Sequence, residues 1–344
     1  MRTPLIVGMS LVCASSVMAQ VYDIPGAVPS IDRWFYPFAG NGSEVQAPTF
    51  AALLQAGFDD RDSQMLLAFA TSPTVPTNRG ARRYVVQSAR VRLWVSADLR
   101  FAYDPSWDSV ATSYAEADPT REPDADSGKP IEIFAAGWRG GWHPMNFAEN
   151  GPFANGPSFP PQEGIRNAFA ANLDASGAAT DVSRHVRQRF EATPLSVGTC
   201  ALPPGTMVPA GTEFVFELDV ASPGAAAYFG QALNQGRVAL MVSSLHPAAG
   251  GPGGGQGDPN YPAFYTKENP LSPVLGFTPR LEMTVLAFPS PDFNGSGGTP
   301  DDADVDAFFS AWSEGAESAD FNLSGGTPDD ADVDAFFTAW ALGE

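Results

Sequence analysis

The sequence predicts a mainly β protein, an antiparallel β-sandwich followed by a small α-helical repeat module at its C-terminus. Three observations predict it. Short runs of alternating polar and apolar residues recur between Gly, Pro and Asp clusters from Tyr22 to Phe288. A 21-residue segment beginning at Asp292 returns at Asp320, a period of 28. Residues 291–344 hold 13 Asp or Glu and no Lys, Arg or His, against a whole-chain balance of 39 acidic and 19 basic residues. A charge asymmetry of that size marks a separate unit.

Residues 1–19 read as an export signal. Arg2 precedes the apolar run Leu5-Ile6-Val7-Gly8-Met9 through Val12, and Val17-Met18-Ala19 ends in small residues suited to cleavage before Gln20. Cleavage would remove Cys13 and leave Cys200 alone, so no intramolecular disulfide is expected. The expected location is outside the cytoplasm: extracellular, periplasmic or at the cell surface. No later stretch is long and apolar enough for a membrane span. The net charge of −20 repels nucleic acid and anionic membrane surfaces.

The β region is assigned to residues 20–288. Ala89, Val91, Leu93 and Val95 alternate with Arg90, Arg92 and Trp94, and Phe214, Phe216, Leu218 and Val220 alternate with Glu213, Glu217 and Asp219. Ile131-Glu132-Ile133 and Leu281 to Val285 alternate likewise. Each pattern predicts a half-buried strand. Val238 to Val242 is apolar on both faces and predicts a central strand. One helix is expected from Ser222-Pro223 to a stop near Gly236. Glu116–Lys129 and the Gly-rich run Pro247–Asn260 read as surface excursions, the second a mobile one.

The search for catalytic chemistry finds no nucleophile elbow, zinc-protease pair or phosphate-cradling loop. Histidine is limited to His143, His185 and His246, none with a partner at metal-ligand spacing, so each is expected to be a surface or hydrogen-bonded residue. Cys200 is expected to pack as a small apolar residue. Asp59-Asp60 and Asp124 with Asp126 are carboxylate pairs open to a glycosidase reading, with loop solvation as the plainer alternative. Trp34-Phe35-Tyr36, Trp138 and Trp142 are candidates for stacking on sugar rings, against the plainer use of core packing.

In the tail, Asp-Phe-Asn-x-Ser-Gly-Gly places side-chain oxygens at its first, third and fifth positions and glycine at the sixth, as a short loop does when it wraps oxygens around calcium. Thr299-Pro300 suits a helix start, and Val305, Phe308, Phe309 and Trp312 then form one apolar face, repeated by Val333, Phe336, Phe337 and Trp340. Asp301, Asp302 and Asp304 also suit a helix N-terminus with no metal present.

These motifs resemble dockerin type I and related EF-hand-like repeats, especially the paired Asp-Phe-Asn-Gly repeats ending secreted planctomycete proteins. The resemblance implies calcium ligands at Asp292, Asn294, Ser296, Gly298 and Asp304, and at Asp320, Asn322, Ser324, Gly326 and Asp332. It also implies a cohesin-like protein partner, although Asp301 and Asp302 lie near where cellulosomal dockerins carry partner-choosing residues and point to a different partner or none. Two departures stand out: Ala303 occupies the twelfth position, so the closing carboxylate arrives one residue late at Asp304, and Ser replaces the usual Asp at the fifth. Both lower the expected affinity, to about 10⁻⁴–10⁻³ M. In the β region, the late helix, the strand opening at Gly236-Arg237-Val238, Phe264 to Glu268 and Pro279-Arg280-Leu281 resemble the DNRLRE or CBM96-like family of secreted β-sandwiches, some of which bind polysaccharide.

The functional expectation is a secreted, non-catalytic, calcium-binding protein whose β-sandwich recognises a glycan or cell-envelope component. The alternative is a divergent polysaccharide-active enzyme, a glycoside hydrolase or lyase, with a dockerin-like tail.

Overall fold

A computed structural model describes residues 19–39, 42–126, 128–248, 259–297, 299–322, 324 and 326–341. The export-signal assignment with Cys13, the centre of the Gly-rich excursion and the ligand role of Gly298 therefore lie outside the described residues. The chain divides into two compact units, Val21–Leu286 and a smaller one containing Ala287–Glu344.

The larger unit is mainly β. One sheet runs in the order β2 (Ile31–Phe35), β4 (Gln64–Ala70), β11 (Arg237–Ser244), β6 (Ile131–Trp138), β7 (Ala168–Leu173), β8 (Ala179–Asp181), with β9 (Ser196–Val197) also pairing β6. A second has the order β1 (Gln20–Ala27), β13 (Arg280–Ala287), β5 (Tyr84–Trp94), β10 (Glu213–Glu217), and β12 (Ala263–Tyr265) pairs β3 (Gln46–Pro48). The strand pairs β4–β11, β11–β6, β6–β7 and β5–β10 are all antiparallel. Three helices join them, α1 (His185–Gln188), α2 (Pro223–Gln235) and α3 (Ser272–Leu275).

The hydrophobic patterns explain the sheet positions. Val238–Val242 is buried on both faces, and β11 is a central strand between β4 and β6, with Leu240 opposite Leu67 on one side and Ala135 on the other. On the four-stranded sheet the polar positions form a ladder: Arg92 pairs with Glu213 and Glu282, and Arg90 with Glu217 and Glu282. Strand β6 departs from expectation. Its alternation predicts one wet face, yet Ile131–Gly137 is buried throughout, because Glu132 is 3% exposed and pairs with the equally buried Arg61. A buried ion pair looks like a solvent-facing residue to a periodicity argument.

Helix α2 has the predicted limits, with Pro223 in its first turn and Gly236 ending it at φ +89°. A Cβ at Gly236 would come within 2.9 Å of Ser72 and Thr77, so the left-handed turn and the close approach both demand glycine. Ser222 makes no side-chain cap; Asp219 Oδ1 instead accepts the N–H groups of Ala221 and Ser222. That turn also stops β10 at Glu217, short of the predicted Val220.

The smaller unit contains α4 (Asp302–Ser313) and α5 (Asp330–Ala341). Helix α4 starts two residues beyond the Thr299-Pro300 signal, because Asp301 is the N-cap and forms a reciprocal capping box with Asp304. The core is an aromatic quartet. Phe308 and Phe336 stack with centroids 4.2 Å apart, and Phe293 and Phe321 meet both rings edge-on. The expected apolar stripe holds at Val305, Phe308 and Trp312 and at Val333, Phe336 and Trp340, but Phe309 and Phe337 are exposed, at 39% and 37%, and the Phe of each Asp-Phe-Asn turn packs in the core in their place.

Replacing Phe308 with Ala is expected to cost about 3–5 kcal/mol, enough to melt the small unit, whereas Phe309→Ala should stay within about 1 kcal/mol. Urea unfolding followed through Trp312 and Trp340 fluorescence measures both; equal losses would contradict the assignment of the buried ring.

Candidate functional site

Each tail turn is built by its own side chains. Asp292 Oδ2 accepts the N–H of Gly297, and Asn294 Oδ1 accepts that of Ser296. In the second copy, Ser324 donates its N–H to both Asp320 and Asn322. Glycine makes the bend, with Gly295 at φ +69° and Gly297 at +82°; Gly326 lies at +120°.

The closing acids are held differently from the open loop. Asp304 is 1% exposed, with Oδ1 accepting the N–H of Asn294 and Oδ2 that of the N-cap Asp301. Asp332, equally buried, repeats this with Asn322 and Asp329. These two carboxylates fasten a turn to a helix N-terminus, where the helix dipole favours negative charge. The capping alternative is therefore realised for both acids, which leaves only further lone pairs for a cation. Asp292 is the exception: its Oδ1 is buried and has no hydrogen-bond partner among the described residues. A buried, unpaired carboxylate oxygen is costly. Of the ten residues proposed as ligands, these bonds join Asn294 to Asp304 in one copy and Asp320, Asn322, Ser324 and Asp332 in the other, while Asp292 is tied to Gly297. Ser296 takes part through its N–H, and Gly326 contributes its backbone conformation.

The β unit contains acidic groups that sequence patterns did not single out. Among the described residues, two sets of three carboxylates bring oxygens within 4.8 Å of one another: Asp32, Glu149 and Glu268, and Asp104, Asp108 and Asp126. Such clusters could hold a metal ion. In the first, the Lys267 ammonium already contacts all three acids. Burial pushes the fully enclosed Asp32 up to about 7, against the pull of Lys267. Sequence gave no cue here, since the three acids are spread over more than 230 positions.

The glycosidase candidates Asp59 and Asp60 are neither surface acids nor an exposed pair. Asp59 accepts from Arg166 at 2.8 Å and Asp60 from Arg187 at 2.9 Å, both in the interior. Arg61 donates to His185 Nε2 at 3.1 Å, while His185 Nδ1 meets the Phe190 carbonyl. Every one of these groups is spent on pairing. His246 sits edge-on to Phe101 with both ring nitrogens buried and without partners among the described residues. His143 is exposed to solvent in the Trp142–Pro144 turn, where its Nδ1 accepts the N–H of Met145.

A cavity of about 760 Å³ opens beside α2. Tyr84, Trp138 and Tyr228 supply its aromatic surface and Arg82, His143, Ser176, Gln231 and Gln235 polar groups, and among the described residues no Asp or Glu lines it. Trp138 Nε1 is buried with no partner among the described residues. Of the other aromatic candidates, Phe35 is fully buried, Trp34 stacks on the buried Tyr36 at 4.9 Å, and Trp142 packs on Phe147. Core packing accounts for those.

In comparisons with known proteins, no family model, no curated protein and no solved structure matches the chain. No helix among the described residues is long and apolar enough to cross a membrane.

Burial lowers His246 to about 3 and His185 to about 2. Unfolding releases both to an ordinary value near 6.5, so as pH falls below about 6.5 the unfolded chain binds more protons and stability declines. His246→Phe keeps the ring against Phe101 and removes one of the two groups. Between pH 7 and 4.5 the variant is expected to lose less stability than the parent, by roughly 2 kcal/mol; parallel denaturation curves at the two pH values test it, and superimposable losses refute it.

Proposed function

We propose that this chain is a secreted, non-catalytic binding protein. In this reading a β-sandwich recognises a glycan or cell-envelope component, and the tail is a calcium-dependent, EF-hand-like module of dockerin type. The observation that carries the calcium reading is the Oδ1 of Asp292, buried and without a partner among the described residues, in a stretch, residues 291–344, that has no basic side chain of its own to neutralise it. Asp292, Asn294, Ser296 and Asp304 would hold the ion in the first copy, and Asp320, Asn322, Ser324 and Asp332 in the second. Calcium takes six to eight oxygen ligands in flexible geometry, which suits turns that offer carboxylate, amide and hydroxyl oxygens together. The exposed Phe309 and Phe337, with ring centroids 6.1 Å apart, support a docking role for the same module.

The cavity beside α2 supports the glycan half of the proposal. Its volume falls within the range of about 300–1,000 Å³ usual for ligand sites. Sugar rings present apolar faces to aromatic rings and hydroxyls to polar groups, and Tyr84, Trp138 and Tyr228 with Arg82, Gln231 and Gln235 offer both kinds of surface. A lining without carboxylates favours binding over acid–base hydrolysis, which needs two.

Two measurements test the two halves. Calcium added to the chelator-treated protein is expected to raise the protease resistance of the tail and change Trp312 and Trp340 fluorescence, with Asp292→Asn combined with Asp320→Asn abolishing both responses. Unchanged signals in the parent protein would sink the calcium reading. On a glycan array, Trp138→Ala should weaken any captured glycan at least tenfold. Reducing-sugar release that one carboxylate substitution abolishes would favour the enzyme alternative instead.

A further inference from the structure

We propose that Asp104, Asp108 and Asp126, with the hydroxyl of Ser106, form a separate cation site in the β unit that takes a divalent ion of calcium's size. The three carboxylates each bring an oxygen within 4.8 Å of the others. Ligands of one ion with bonds of about 2.4 Å are at most about 4.8 Å apart, so this spacing meets the condition that a shared calcium ion sets. Ser106 sits among them, its Oγ within hydrogen-bond distance of Asp104 Oδ1 and, at 2.9 Å, of Asp126 Oδ2.

The second observation is independent of the clustering. Asp104 is 3% exposed, and its Oδ2 is buried with no partner among the described residues. The enclosed member of the cluster therefore carries a desolvated oxygen that no described residue satisfies. Lys129 does not reach it: the ammonium binds Asp108 Oδ2 at 2.8 Å and Asp124 Oδ2. Four carboxylates, Asp104, Asp108, Asp124 and Asp126, thus face one ammonium, a surplus that a divalent cation removes. Burial first, and then the charges of Asp126 and Asp108, hold Asp104 above the usual carboxylate range.

The arrangement also gives the site a purpose. Asp126 lies at the end of the acidic, proline-rich excursion, and the chain returns over Asp104 through Gly128, where a Cβ would stand 2.9 Å from Asp104 Cβ at φ +122°. An ion shared by Asp104 and Asp126 would clamp the end of this excursion to the sheet unit.

The test uses the full chain carrying Asp292→Asn and Asp320→Asn, so that the tail turns cannot answer for the β unit. After chelator treatment, calorimetric titration with calcium chloride is expected to give one site, with Asp126→Asn, an exposed position, weakening it at least tenfold and Asp104→Asn abolishing it. Terbium bound there should show emission sensitised through Trp107, the neighbour of Asp108, that Trp107→Phe removes. Calcium should also slow tryptic cleavage after the exposed Arg121 at least fivefold. Circular dichroism establishes that each variant is folded; Asp126→Asn alone decides the matter should Asp104→Asn not fold. Absence of calcium binding in the tail-disabled protein, or binding untouched by Asp126→Asn, overturns the proposal.

Discussion

Every buried carboxylate in this protein needs positive charge or donors close by, and how that need is met organises both units. Desolvating a carboxylate is expensive, and in the interior it is offset only by pairing and by hydrogen bonds that use its lone pairs. In the seven-stranded sheet region the chain supplies guanidinium groups: Arg166 for Asp59, Arg187 for Asp60 and Arg61 for Glu132. Lys267 alone serves Asp32, Glu149 and Glu268. In the tail no basic side chain exists, and backbone N–H groups do the work at Asp304 and Asp332. Among the described residues five buried carboxylate oxygens are left without a hydrogen-bond partner by these schemes: Asp62 Oδ2, Glu149 Oε1 and Glu268 Oε2, each on an acid beside a basic group, and Asp104 Oδ2 and Asp292 Oδ1, both in acid-rich loops.

This graded compensation explains which parts of the fold were legible in the sequence. Strands whose alternation reflects a wet face and a dry face, such as β13 and β5, were readable because Arg and Glu there do face solvent. The central β11 was readable for the opposite reason, its apolar run admitting no wet face at all. Glu132, read by alternation, and Asp59-Asp60, read as loop acids, were misread because charge was treated as a marker of exposure, and nothing local in the chain reveals that Arg61 will find Glu132 about seventy positions away. Long-range pairing is information the pattern does not contain.

In the tail the repeat made the two helices and the turn chemistry plain, since an Asx turn, a glycine bend and a capping box are all local. The choice between Phe308 and Phe309 was not local. Both lie on the predicted stripe, and which of them is buried depends on the ring that arrives from the preceding turn. With Phe293 and Phe321 occupying the space beside Phe308 and Phe336, the adjacent rings are pushed outward. The aromatic of the Asp-Phe-Asn turn thus has a packing role that a ligand-centred reading of the motif overlooks, and it couples the turn to the helix pair: whatever orders the turn also seats the ring.

The same coupling bears on how differently a cation would act in the two units. Each tail turn already has its closing acid locked by backbone N–H groups only ten residues away, so an ion there adds to a shape the chain makes unaided. The Asp104 and Asp126 carboxylates are 22 residues apart; the chain between them packs Val110 and Tyr114 into a small apolar cluster and then runs on as the acidic, proline-rich excursion from Glu116. Closing a loop costs entropy that grows with the logarithm of its length, and a shared ligand recovers more of that cost where the loop is longer and less self-ordered. An ion in the β unit would therefore act mainly on the chain's freedom, and an ion in the tail mainly on charge and on the seating of Phe293.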